Sequence, residues 1–197
     1  MKRFFTFFIA LLLGCGGATV KKEVNEISFN VIEKDTKVSD QVQTSLKAFD
    51  EFFDELRNEL VTSISKKGLD GTISFCKVKS LELEKKYSEK YNRKVYRISD
   101  KYRNPQHKPT EDEKKILEYW AKRLSEKQTI QPVYYVTGEK TKVMKPIKTF
   151  ANLCLQCHGD YESIDPKVRE AIKKEYPDDK AFGYKLDDLR GAFVAEF

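Results

Sequence analysis

The feature that most constrains this chain is a pentapeptide near its C-terminal end, Cys154-Leu155-Gln156-Cys157-His158. Two thiols three residues apart sit on adjacent turns of a helix, on one side of it. In that arrangement they can add across the two vinyl groups of one porphyrin edge. The residue that follows then lies beneath the iron, where its imidazole serves as proximal ligand. Cys154 and Cys157 are therefore the expected thioether anchors of a single covalent haem c, and His158 its proximal iron ligand. Gly159 leaves room for the backbone to turn away from the ring. A redox disulfide would call for a thioredoxin-like strand ahead of the pair, and none is visible. A zinc site needs more thiols or imidazoles than four cysteines and two histidines supply.

Covalent haem is attached outside the cytoplasm, and the N-terminus fits export. Lys2 and Arg3 form a basic start, and Phe4 to Leu13 an apolar run of signal-peptide length, too short to span a bilayer comfortably. Leu12-Leu13-Gly14-Cys15 resembles a bacterial lipobox, which makes Cys15 the expected lipidation site. Residues 1–15 are read as a signal peptide and 16–38 as a tether, although Ile27 to Ile32 could form a short strand. The expected location is periplasmic and membrane-anchored, or secreted if the lipobox is not used. The net charge of +6 falls to +4 without Lys2 and Arg3 and is spread through alternating Lys and Glu. No dense basic block argues for nucleic acid.

The remaining 39–197 read as one α+β domain. Val42, Leu46, Phe49, Phe53, Leu56, Leu60 and Ile64 recur at helical spacing, and Gly68 supplies the stop. A second helix is expected from about Asp70 to Tyr91, then a strand at Val95 to Ser99. Prolines 105 and 109 force a loop. Thr110-Glu111-Asp112-Glu113 is a capping box opening the helix that carries Ile116, Leu117, Trp120 and Leu124. Val133 to Val136 and Lys142 to Ile147 predict a hairpin turning at Gly138, and Ala192 to Phe197 a final edge strand. Helices first and an antiparallel sheet after, with no βαβ alternation, define the class.

The four cysteines leave Cys76 without a disulfide partner. It is either a small buried hydrophobe or a second axial ligand, for which His107 and Met144 also compete; spacing does not choose among them.

Several pieces together resemble a known family: Ile73-Ser74-Phe75-Cys76, Tyr96-Arg97-Ile98-Ser99, Arg103-Asn104-Pro105, Glu113, the Cys154 to Gly159 segment, Tyr176 to Tyr184, and Arg190-Gly191-Ala192. In order and spacing they resemble the PAS-like, single-haem cytochrome c domain with Cys/His axial ligation, long catalogued as a domain of unknown function. The resemblance implies a PAS-like antiparallel sheet with helices packed on it, and Cys76 as the distal iron ligand opposite His158. His107 departs from the family, which usually has Asn there, and Asp187 stands where Gly is usual in a turn. Arg97 and Arg103 are candidate propionate contacts, since Arg presents a forked donor to carboxylate. Relatives often precede kinase, cyclase or chemoreceptor domains. No output domain is expected here, so a redox or gas sensor would act through a partner protein. The alternative is a membrane-tethered periplasmic electron carrier. A peroxidase-type enzyme is the weakest reading, because it needs acid-base groups beside an open iron position.

Overall fold

The computed structural model describes residues 19–24 and 27–197. The expected signal peptide and Cys15 lie outside the described residues. Among those described, no helix is long and apolar enough to cross a membrane.

Six strands form one antiparallel sheet: β1 (Val20–Val24), β2 (Ile27–Val31), β3 (Lys94–Ile98), β4 (Val133–Thr137), β5 (Lys140–Lys148) and β6 (Leu189–Glu196). Their order across the sheet is β1-β2-β4-β5-β6-β3. Helix α1 (Asp40–Tyr91) covers one face and α2 (Glu111–Ser125) the other, with α3 (Asn152–His158) and α4 (Pro166–Glu175) following β5. Strand parity sorts the core. Val143, Phe193 and Ala195 face α1 with Phe49, Phe52, Leu83 and Tyr87. Met144, Val194 and Ala192 face α2 with Ile116, Leu117 and Trp120.

Helix α1 is two arms broken at Gly68, whose φ of 73° and ψ of 178° are not helical. A glycine meets that conformation without the steric cost a Cβ would bring. The Thr72 hydroxyl donates to the Gly68 carbonyl (2.7 Å) and lies 3.1 Å from the Ser63 hydroxyl, closing the turn. The arms then run back along each other. Phe52 stacks on Tyr87 with centroids 5.3 Å apart, and Lys86–Glu55 and Lys90–Glu51 pair across at 2.6 Å. The apolar contact carries this hairpin, since exposed ion pairs contribute little. Ser39 caps the first arm and Asn92, in the left-handed region, ends the second.

The capping box forms as expected: Glu113 N–H donates to Thr110 Oγ1 (3.4 Å) and Thr110 N–H to Glu113 Oε2 (2.8 Å). The β4–β5 hairpin turns at Gly138, with φ of 60°. Two readings need sharpening. The short strand allowed for at 27–32 forms, so these residues are not tether: β2 pairs with β4, and Phe29 is fully buried in the α2-face core. The alternation Ile27, Phe29, Val31 gives a strand one apolar face to bury, and the open β4 edge offers the partner. The last strand is not an edge either, because β6 lies between β5 and β3. Its continuous run Gly191 to Ala195 is buried on both faces, as an interior strand requires.

Gly191 is where β6 passes β3 most closely. A Cβ there would lie 2.2 Å from the Ile98 carbonyl oxygen. Gly191→Ala must push the two strands apart at the end that forms the site, so a loss of about 1–3 kcal/mol is expected in urea unfolding. An unchanged midpoint would show that the strands are looser there than they look.

Candidate haem site

Helix α3 carries the motif as predicted, with Cys154, Cys157 and His158 in one short helix. A third core cluster positions it. Ile73 on the second arm of α1 packs with Val168, Ile172 and Tyr176 of α4 and its end, and Leu69 and Cys157 pack against them. Cys76, one turn on from Ile73, therefore faces the same cleft as the α3 motif.

That cleft encloses about 1400 Å³ of space not filled by protein, part of it open to solvent. Leu56, Leu60 and Ile64 of the first arm form an apolar wall, with Ile147 and Phe150 at the end of β5. Cys76, Cys154, Cys157 and His158 all line it, together with Arg97, Arg103 and His107. Met144 does not: it is fully buried in the α2-face core, which removes it as a ligand candidate.

His158 is oriented by the segment 179–184. Its Nδ1 lies 2.9 Å from the Ala181 carbonyl, which can only accept, so Nδ1 carries the proton. Nε2 is left as a lone pair, the tautomer a metal-ligating imidazole needs. Burial, with the nearby Arg190 and Arg103 charges, holds His158 well below the ordinary imidazole value despite the Ala181 bond, so the ring is neutral. The same segment grips the backbone: Tyr184 N–H donates to His158 O (3.0 Å) and Gly183 N–H to Gly159 O (2.8 Å). Tyr184 also meets the His158 ring edge-on, at 6.2 Å. Gly159 is glycine because of its own helix, since a Cβ would lie 2.6 Å from the Leu155 carbonyl oxygen.

The three described thiols are free. Burial pushes Cys76 up to about 11, helped by Cys157 and opposed by Arg97 and Arg103. Cys157 is also raised by burial, against the pull of Arg103. Both are neutral and unreactive at pH 7 while no metal draws off the proton.

The arginines are more committed than their sequence positions reveal. Arg103 Nε pairs with Asp179 Oδ2 (3.0 Å) and its Nη2 donates to the Cys157 carbonyl (2.6 Å), tying α3 to the 179–184 segment. Arg97 Nε lies 3.3 Å from Glu84 Oε1 and its Nη2 donates to Ser80. Cys76, Ser80 and Glu84 are four residues apart, so one stripe of the second arm presents all three. His107 Nε2 lies 2.9 Å from that same Glu84 carboxylate, two turns along from Cys76. Asp187 keeps a positive φ of 67°, so the turn geometry survives the loss of glycine; a short polar side chain tolerates it.

Sequence reasoning did not single out Ala181, Asp179, Ser80, Glu84 or Arg190 as site residues. Tyr176 to Tyr184 and Arg190-Gly191 were visible only as pieces of a resemblance. A backbone carbonyl leaves no mark in sequence, and Arg190 depends on where β6 lies in the sheet.

Fold and cleft together define an α+β domain built around a neutral imidazole and three thiols. The chain belongs to the Tll0287-like family, whose profile matches residues 17–197. The crystal structure of a cyanobacterial haem protein, Tll0287, is similar to it, with a TM-score of 0.57 and 23% identity over 77% of this chain and 93% of that one. No curated protein sequence matches.

Proposed function

We propose that this chain is an exported cytochrome that holds one haem c, with Cys154 and Cys157 as thioether anchors, His158 as proximal ligand and Cys76 as distal ligand. The observation that carries the reading is the convergence of Cys76, remote in sequence, with the α3 motif on one apolar-walled cleft. The donor set fits the group: a thiol pair on one helix side, an imidazole with Nε2 free of protein hydrogen bonds among the described residues, and cations for the propionates. The Tll0287 protein, similar in fold, is a haem protein. When bound, such a group supplies a one-electron couple, and thiolate ligation lowers its potential relative to a His/Met pair.

The role that best suits this arrangement is redox or gas sensing through a partner protein. Cys76 rides on the second arm of α1, beyond the break at Gly68 and not on the motif helix, so a change in its bonding bears directly on that arm. The arm in turn packs on the sheet through Leu83 and Tyr87 and on α4 through Ile73. The tether to a membrane through a lipid on Cys15 belongs to the same proposal. Peptide mass analysis of the exported protein tests it: a lipid-modified N-terminal Cys15 is expected.

Cys76→Ser should replace the ferric low-spin absorption spectrum with a high-spin one, since a serine hydroxyl is a far weaker ligand. An unchanged spectrum would assign the distal position to another residue. A sensor should also bind CO in the ferrous state. An electron carrier would stay six-coordinate in both oxidation states and refuse it.

A further inference from the structure

Arginines 97, 103 and 190 line the cleft, and their charges are not equivalent. Arg97 is paired with Glu84, and Arg103 with Asp179. Arg190 has no such partner among the described residues. Its Nη1 donates to Ser99 Oγ (2.8 Å) and to the Lys101 carbonyl (3.3 Å), both neutral acceptors. Its Nε is buried with no acceptor among the described residues. Asp179, whose charge acts on it, is committed to Arg103. Burial lowers the Arg190 guanidinium to about 10, which leaves it a cation at neutral pH.

A half-buried cation with no carboxylate partner and an orphaned, buried N–H is costly and calls for an explanation. The surroundings fix this one in place. The Ser99 hydroxyl donates back to the Arg190 carbonyl (2.7 Å), and the guanidinium lies over the Tyr184 ring, 5.4 Å from its centroid. Tyr184 is the residue whose edge meets His158 and whose N–H holds the His158 carbonyl. Arg190 is therefore a preoriented fork, held relative to the proximal imidazole and missing a carboxylate. The residue is half-buried, with its Nε shut off from solvent, and it lines the cleft that the motif opens into.

We propose that Arg190 binds a propionate of the haem, making it the anionic group's principal anchor in place of the already paired Arg97 and Arg103. The inference rests on the haem assignment above. A forked pair would satisfy Nε and neutralise the charge. Arg97 and Arg103 already commit Nε and Nη2 to Glu84 and Ser80 and to Asp179 and the Cys157 carbonyl, so neither has that fork left to offer.

The haem-loaded full chain and its Arg190→Gln and Arg190→Lys variants test this. Haem staining on denaturing gels reports attachment, resonance Raman reports the propionate bending band, and redox titration gives the midpoint potential. Both variants should stain, and both should shift the propionate band, because Lys keeps the charge but loses the fork. The midpoint should fall in Arg190→Gln, where a cation near the iron is lost, and stay near wild type in Arg190→Lys. A stained Arg190→Gln protein with an unshifted band and potential overturns the Arg190 assignment alone. If Arg190→Gln is not recovered with haem, the band of Arg190→Lys decides, and an unshifted one overturns it. A wild type that does not stain overturns the haem assignment, and this inference with it.

Discussion

Replacing both Cys154 and Cys157 with serine is expected to abolish haem staining of the protein on denaturing gels, while the single variants retain one thioether each and stain more weakly. Denaturation removes every non-covalent contribution, so the stain reads only the carbon–sulfur bonds. The polypeptide itself should still fold. Both thiols are only partly buried, and serine is close in size, so the cost comes mainly from the packing of Cys157 against the cluster that holds Ile73 and Ile172. Folding can be followed separately by circular dichroism of the haem-free chain. Stain that persists in the double variant would remove the covalent assignment altogether. His158→Ala makes a useful contrast: the thioethers can remain, but the proximal ligand is lost and the absorption spectrum should change. The two experiments separate attachment from ligation, which the motif alone conflates.

How much of this was readable in sequence depends on how local each feature is. The α3 motif, the Thr110 capping box, the Gly68 break and the Gly138 hairpin are set by neighbouring residues, and all four are found where the pattern predicts them. Long-range placement is different. Val143 and Met144 are adjacent, yet one faces α1 and the other α2. Alternation shows that they diverge but not which of them faces a cofactor, and a methionine near a haem motif invites the wrong choice. The strand at 27–31 carries an alternating pattern that a short linker does not need, but nothing local says that β4 will be its partner. The buried run at the end of β6 contained the signal that was missed: continuous apolar residues mean that both faces and both edges are covered. The His158 orientation was beyond reach, since it depends on the carbonyl of Ala181, 23 residues away. So was the inequality of the three arginines, which appears only once their carboxylate partners are known.

The residue whose loss should cost the most stability lies outside the cleft. Glu113 is 1% exposed, and its Oε1 accepts from the Tyr96 hydroxyl (2.5 Å) and from Lys142 Nζ (2.7 Å), while Oε2 caps the Thr110 amide (2.8 Å). One carboxylate thus joins β3, β5 and the start of α2, and β3 itself supplies Arg97 and Ile98 to the cleft wall and leads into Ser99. Burial alone would raise this carboxyl, but the bonds from Lys142, Tyr96 and Thr110 outweigh it and leave it below its ordinary value. Glu113→Ala strands the Lys142 amine, whose side chain is only 8% exposed, with Glu196 at 3.6 Å as partial relief. A loss of about 3–5 kcal/mol in chemical denaturation is expected, the cost of an uncompensated buried charge more than of a missing attraction. The double replacement Glu113→Leu with Lys142→Met should recover much of it, because two well-packed apolar groups leave no charge behind. The sign of the pH dependence follows from the depressed carboxyl. Its contribution is full above the unfolded value near 4.5 and is lost as pH falls through the lower folded value, so wild type and Glu113→Ala should converge in acid. A Glu113→Ala penalty below about 1 kcal/mol, or a gap that does not narrow in acid, would mean that the ion pair is solvated and that β3 is held by backbone pairing alone.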